Sequence, residues 1–118
     1  MDNFIKIVSK YKGNMYSSEF RKIIEDLDVE IINESDLVAE NLDFMEKINL
    51  LFSLEYKCLI EKNNEKLAYL NYLISYYIFV ILTPPFSEEL ALKYAEYALK
   101  LHNEDKYIEW VEYVKQGN

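Results

Sequence analysis

A chain of 118 residues is one domain's worth of sequence, and its 51% apolar content with only two glycines and two prolines excludes a disordered tail, a collagen-like chain and a turn-rich β-sandwich. Acids outnumber bases 21 to 13, for a net charge of −8; a phosphate backbone attracts a basic protein, so nucleic acid is not the expected partner. Cys58 is the single cysteine, which leaves no intrachain disulfide framework and fits a reducing, cytoplasmic setting.

Taken in chain order, the pattern is helical. The N-terminus reads Met1-Asp2-Asn3-Phe4-Ile5-Lys6, with an acid where an export signal carries positive charge, so no signal is expected there. Phe4, Ile5, Val8 and Tyr11 predict a helix over 2–12, stopped by Gly13-Asn14. Ser17 or Ser18 is the expected cap of the next helix, with Phe20, Ile23, Ile24, Leu27 and Ile31 as its apolar face. Leu27 to Ile31 also alternates with period two, as a half-buried strand does, but no partner strand is legible and helix is the expectation. A long helix is predicted from a Ser35-Asp36 cap to about Lys62, with Leu37, Leu42, Met45, Ile48, Phe52 and Leu59 inward.

After Asn63-Asn64 comes the most apolar stretch. Leu67 to Leu82 holds no charge over 16 residues, which is about 24 Å of helix against the roughly 30 Å hydrocarbon core of a bilayer. With Asn71, Ser75 and four tyrosines inside it, the run from 65 to 82 reads as the buried central helix of a bundle, ended by Thr83-Pro84-Pro85. Ser87 is the expected cap of a fifth helix with Leu90, Ala91, Tyr94, Ala95 and Ala98 inward. Asn103 is that of a sixth, with Tyr107, Trp110, Val111 and Val114 inward and Gly117 at its end. The expected fold is all-α: one compact domain over 1–118, with five to six helices around the central one.

Residues that usually carry chemistry are scarce. One histidine, His102, and one cysteine cannot make a zinc site, and no Glu-x-x-His motif is present for a di-iron bundle. Two glycines write no phosphate loop or nucleophile elbow. Asp26 to Glu30 imitates the start of a calcium loop, but Ile31 and Leu37 stand where glycine and a bidentate glutamate are required. No catalysis and no cofactor are expected. Tyr69, Tyr72, Tyr76 and Phe79 form an aromatic stripe on the central helix, which is either core packing or a pocket wall.

The charge is unevenly placed. Glu25, Asp26, Asp28, Glu30, Glu34, Asp36, Glu40, Asp43 and Glu46 fall between Ile23 and Glu46 with no Lys or Arg among them. That window carries −9 and the rest of the chain +1. Unrelieved like charge costs self-repulsion, and it suits association with something basic. With this acidic window and the Pro84-Pro85-capped bundle behind it, the chain resembles the small bacterial immunity proteins of contact-dependent and polymorphic toxin systems. The resemblance is one of type across the whole chain and carries no motif. It implies a non-catalytic inhibitor that neutralises a basic toxin domain, such as a nuclease, by steering onto it and burying a few aromatic anchors; Tyr16, Phe44 and Tyr56 are the nearby candidates.

Two other readings stay open. The segment from Leu90 to Val114 resembles a single tetratricopeptide-type hairpin, with Ala91 and Ala98 seven apart, which would suit a helical adaptor holding a peptide or protein in a groove. The tyrosine stripe would suit a small ligand-binding bundle.

Overall fold

A computed structural model describes residues 8–40 and 42–117. Residues 8 and 9 are helical and run into a turn that Gly13 closes with φ at 79°. Phe4 and Ile5, half of the apolar face expected there, lie outside the described residues. Val8 is fully buried and the Tyr11 ring packs on Phe20 at 5.3 Å.

Six helices follow, with no strand among the described residues: α1 (Ser18–Asp26), α2 (Glu34–Val38), α3 (Phe44–Glu61), α4 (Asn64–Tyr76), α5 (Ser87–Leu101) and α6 (Asp105–Gln116). They share one apolar core, with α4 at its centre: Leu67, Ala68 and Leu70 through Ser75 are all buried. Its most extensive contact is with α5, where Ala91, Ala95 and Ala98 present almost no side chain and let the two backbones approach. The expected central helix is therefore present, and α5 and α6 pack as a hairpin across residues 102–104.

The central helix ends by widening. Over Tyr77–Leu82 it becomes a π-helix, and the Thr83 N–H donates to the Ile78 carbonyl five residues back at 2.9 Å. Pro84 cannot donate to a continuing helix and disfavours the α region at Thr83, which sits instead at φ 43°. At the other end of the chain, Gly117 closes α6 at φ 72°, where a Cβ would meet the Glu88 carboxylate.

Several expected boundaries and faces differ. The second helix does not run on to Ile31. It stops at Asp26, Leu27 is extended, and Val29–Ile31 is a single 3₁₀ turn capped by Asp28. The period-two pattern nevertheless describes its burial, because Leu27 and Val29 face the core while Asp28 and Glu30 face water. The long helix from Ser35 is two helices. Asn33, and not Ser35, caps α2 in a reciprocal box with Asp36; Asp43 and Glu46 form a second such box that starts α3. The inward face of α3 is Lys47, Leu50, Leu51, Leu54 and Cys58, whereas Met45, Phe52 and Leu59 face solvent. The N-caps of α5 and α6 are Phe86 and Glu104, one residue from the expected Ser87 and Asn103, and neither makes a side-chain cap bond.

Candidate functional site

The residues from Glu25 to Glu34 form an arm laid across the rest of the bundle. The 3₁₀ turn packs on α4, and three contacts pin the arm down. Lys57 of α3 donates to the Leu27 carbonyl. Lys66, in the first turn of α4, lies 2.6 Å from the Asp28 carboxylate. The Tyr69 hydroxyl donates to the Ile32 carbonyl. Glu34, at the end of the arm, accepts from the Tyr72 hydroxyl and has Lys106 of α6 at 3.4 Å.

These contacts decide the protonation of the groups involved. The Lys66 hydrogen bond and the Glu30 N–H hold the Asp28 carboxyl below its usual range, and Asp28 in turn raises Lys66. Burial opposes ionisation of Glu34, but the Tyr72 hydroxyl and Lys106 outweigh it, so its carboxyl also sits low. Burial and the nearby Glu34 push the Tyr69 phenol up to about 12. Bases absent from the acidic window are thus brought to it by the fold.

The nine acids do not form one patch. Glu25 and Asp26 are exposed on α1, in loose i, i+4 pairs with Arg21 and Lys22, each at 3.6 Å. Together with Asp28 they line a recess of about 220 Å³ that also receives Glu61, Lys57 and Lys66. On the other side of the arm, Glu30 shares a recess of about 260 Å³ with Glu65, Glu104, His102 and Lys106. Asp36 is only 6% exposed, and its carboxylate accepts from the Asn33 N–H at 2.9 Å. Glu40, Asp43 and Glu46 gather apart from these, around the start of α3. There Lys47 is buried, and burial lowers its pKa against the opposing pull of Glu40 and Asp43.

Glu61, Glu65 and Glu104 were not among the expected site residues. They come from three other elements, and only the packing of α3, α4 and α6 around the arm gathers them; no local pattern marks them. The proposed aromatic anchors are exposed but dispersed. Tyr16 is 95% exposed in the turn before α1, Phe44 opens α3, and Tyr56 lies midway along it, on a groove of about 530 Å³ shared with Glu25, Ile24 and Ile60.

The tyrosine stripe is both core and wall. Tyr72 is buried, and its ring meets Tyr107 and Trp110 at 5.8 and 5.6 Å. Tyr76, Val80, Trp110 and Tyr113 then line an open trough of about 500 Å³ with Lys106 and Glu109 on its edge. The Trp110 N–H donates to the buried Ser75 hydroxyl at 2.8 Å, which donates to the Ala91 carbonyl at 2.7 Å, so this wall is fixed from behind.

Other reactive side chains are placed structurally. Cys58 is buried, and burial with Glu61 beside it pushes its thiol up, away from a nucleophilic thiolate. His102 caps α5 and contacts Glu104 at 3.1 Å. Among the described residues no group of three or more His, Cys, Asp or Glu could hold a metal ion, and no helix is long and apolar enough to cross a membrane. Set against known proteins, the chain matches no family model, no curated protein and no solved structure.

Proposed function

We propose that this protein is a non-catalytic binding protein that neutralises a basic protein toxin in the cytoplasm of the bacterium that makes it, and that the arm from Glu25 to Glu34 is its docking surface. One observation carries the reading. Acids from the arm and acids from elsewhere in the fold converge on its two flanks, Glu25, Asp26 and Asp28 with Glu61 on one and Glu30 with Glu65 and Glu104 on the other. Lys57, Lys66 and Lys106 reach the arm from α3, α4 and α6 and hold it in place, so the arm is fixed as well as acidic. A fixed negative surface steers a basic partner and needs little reordering when it docks.

The test uses acids whose removal leaves the fold intact. Glu34 and Asp36 are unsuitable, because each makes a hydrogen bond that holds the arm or α2 in place. The triple change Glu30→Gln, Glu65→Gln and Glu104→Gln is expected to weaken binding to the toxin domain encoded beside this gene by at least about tenfold, with unchanged helical circular dichroism. Unaltered affinity at low salt removes the arm as the docking surface.

A further inference from the structure

Helix α3 is apolar on two opposite faces. At 100° per residue, the buried Lys47, Leu50, Leu51, Leu54 and Cys58 fall within about 100° of arc. Met45, Phe52, Tyr56, Leu59 and Ile60 occupy a second arc of about 100° on the far side of the helix. The latter five are 65%, 55%, 66%, 48% and 61% exposed, so among the described residues this face is largely uncovered. At roughly 200 Å² for a large side chain, they present about 600 Å² of mostly apolar surface. That is at or above the largest patch a soluble monomer usually shows, and most of the ~800 Å² that each partner buries in a stable interface.

We propose that a second copy of this chain covers this face, with the two α3 helices antiparallel about a two-fold axis at Phe52. Area is the first argument, and self-complementarity is the second. In an antiparallel pair centred on Phe52, the two Phe52 rings meet at the axis, Met45 meets Leu59 and Ile48 meets Tyr56 of the other copy, so large apolar residues face each other at the centre and toward both ends of the stripe. No charged residue of α3 falls within the arc of this stripe, although the chain carries −8. A two-fold interface requires such reciprocity of a single surface, and a stripe evolved for a basic partner would carry a surplus of acids instead. The proposal does not depend on the acidic arm.

Sedimentation velocity of the full chain in 0.15 M salt gives the test. The expected result is a species of twice 14.1 kDa at about 100 µM. Phe52→Glu, at an exposed position, is expected to leave the helical signal unchanged and to return the protein to a single-chain mass. Leu59→Glu, exposed toward one end of the stripe, is expected to weaken self-association at least about tenfold with the helical signal unchanged. A single-chain mass for the unaltered protein, a dimeric Phe52→Glu variant, or a Leu59→Glu variant that self-associates as tightly as the unaltered chain overturns the proposal.

Discussion

The Tyr72 hydroxyl donates to the Glu34 carboxylate, joining the central helix to the end of the acidic arm, and Lys106 completes the group from α6. Because this hydrogen bond favours the ionised carboxyl, Glu34 has a lower pKa in the folded chain than in the unfolded one. The sign follows. Its contribution is full above the ordinary carboxyl range of about 4 to 4.5 and is lost as pH falls through the lower folded value. Tyr72→Phe is therefore expected to cost about 1–2 kcal/mol at pH 7, a hydrogen bond to a charged group discounted for partial exposure. Urea denaturation at pH 7 and at pH 3 checks it: the difference from the unaltered chain shrinks at the lower pH.

Glu55 behaves in the opposite way. One of its carboxylate oxygens is buried without a hydrogen-bond partner, and burial raises its pKa. A raised carboxyl pKa means that ionisation destabilises the fold above the unfolded value and does nothing well below it. Glu55→Gln is expected to raise stability at pH 7 by about 1 kcal/mol, with the gain disappearing below about pH 4. Chemical denaturation across that range measures both parts.

Lys62 ends α3 in the left-handed region, at φ 57°. An L-residue with a Cβ is strained there and glycine is not. Lys62→Gly is expected to stabilise the fold by about 0.5–1 kcal/mol, read as a higher thermal midpoint. In the proposed dimer Lys62 lies beyond the Met45–Ile60 stripe, so the same variant leaves the sedimentation coefficient unchanged.

Much of the helical order was legible in the residues. Asn63 at the start of α4, Gly117 after α6 and the alanines of α5 each perform the local task their chemistry suggests. The inward face of α3 was not legible, for a definite reason. Met45, Phe52 and Leu59 keep helical spacing as well as Leu50, Leu51, Leu54 and Cys58 do, and periodicity cannot say which of two opposite apolar faces is covered. The Asp43–Glu46 capping box was present in the sequence, but the apolar periodicity from Leu37 to Ile48 ran through it. The six-residue π segment has no local signature, since it arises where a buried helix meets the constraint of Pro84.

The acidic surface was legible in part. The base-free window was plain, whereas the lysines that hold it and Glu61, Glu65 and Glu104 beside it depend on contacts 30 or more residues apart in the chain. What read as one block of nine charges becomes an exposed arm, the buried Asp36, and a separate group at the start of α3.

The most direct test of the proposed docking arm is the association rate with a basic toxin domain encoded next to this gene, the partner the proposal calls for, measured by stopped flow at low and at physiological salt. Steering by the exposed acids predicts a rate that falls at least about tenfold between roughly 0.02 and 0.15 M salt, and a much flatter dependence for the Glu30→Gln, Glu65→Gln, Glu104→Gln variant. No association, or a rate equally insensitive to salt in both proteins, contradicts the account.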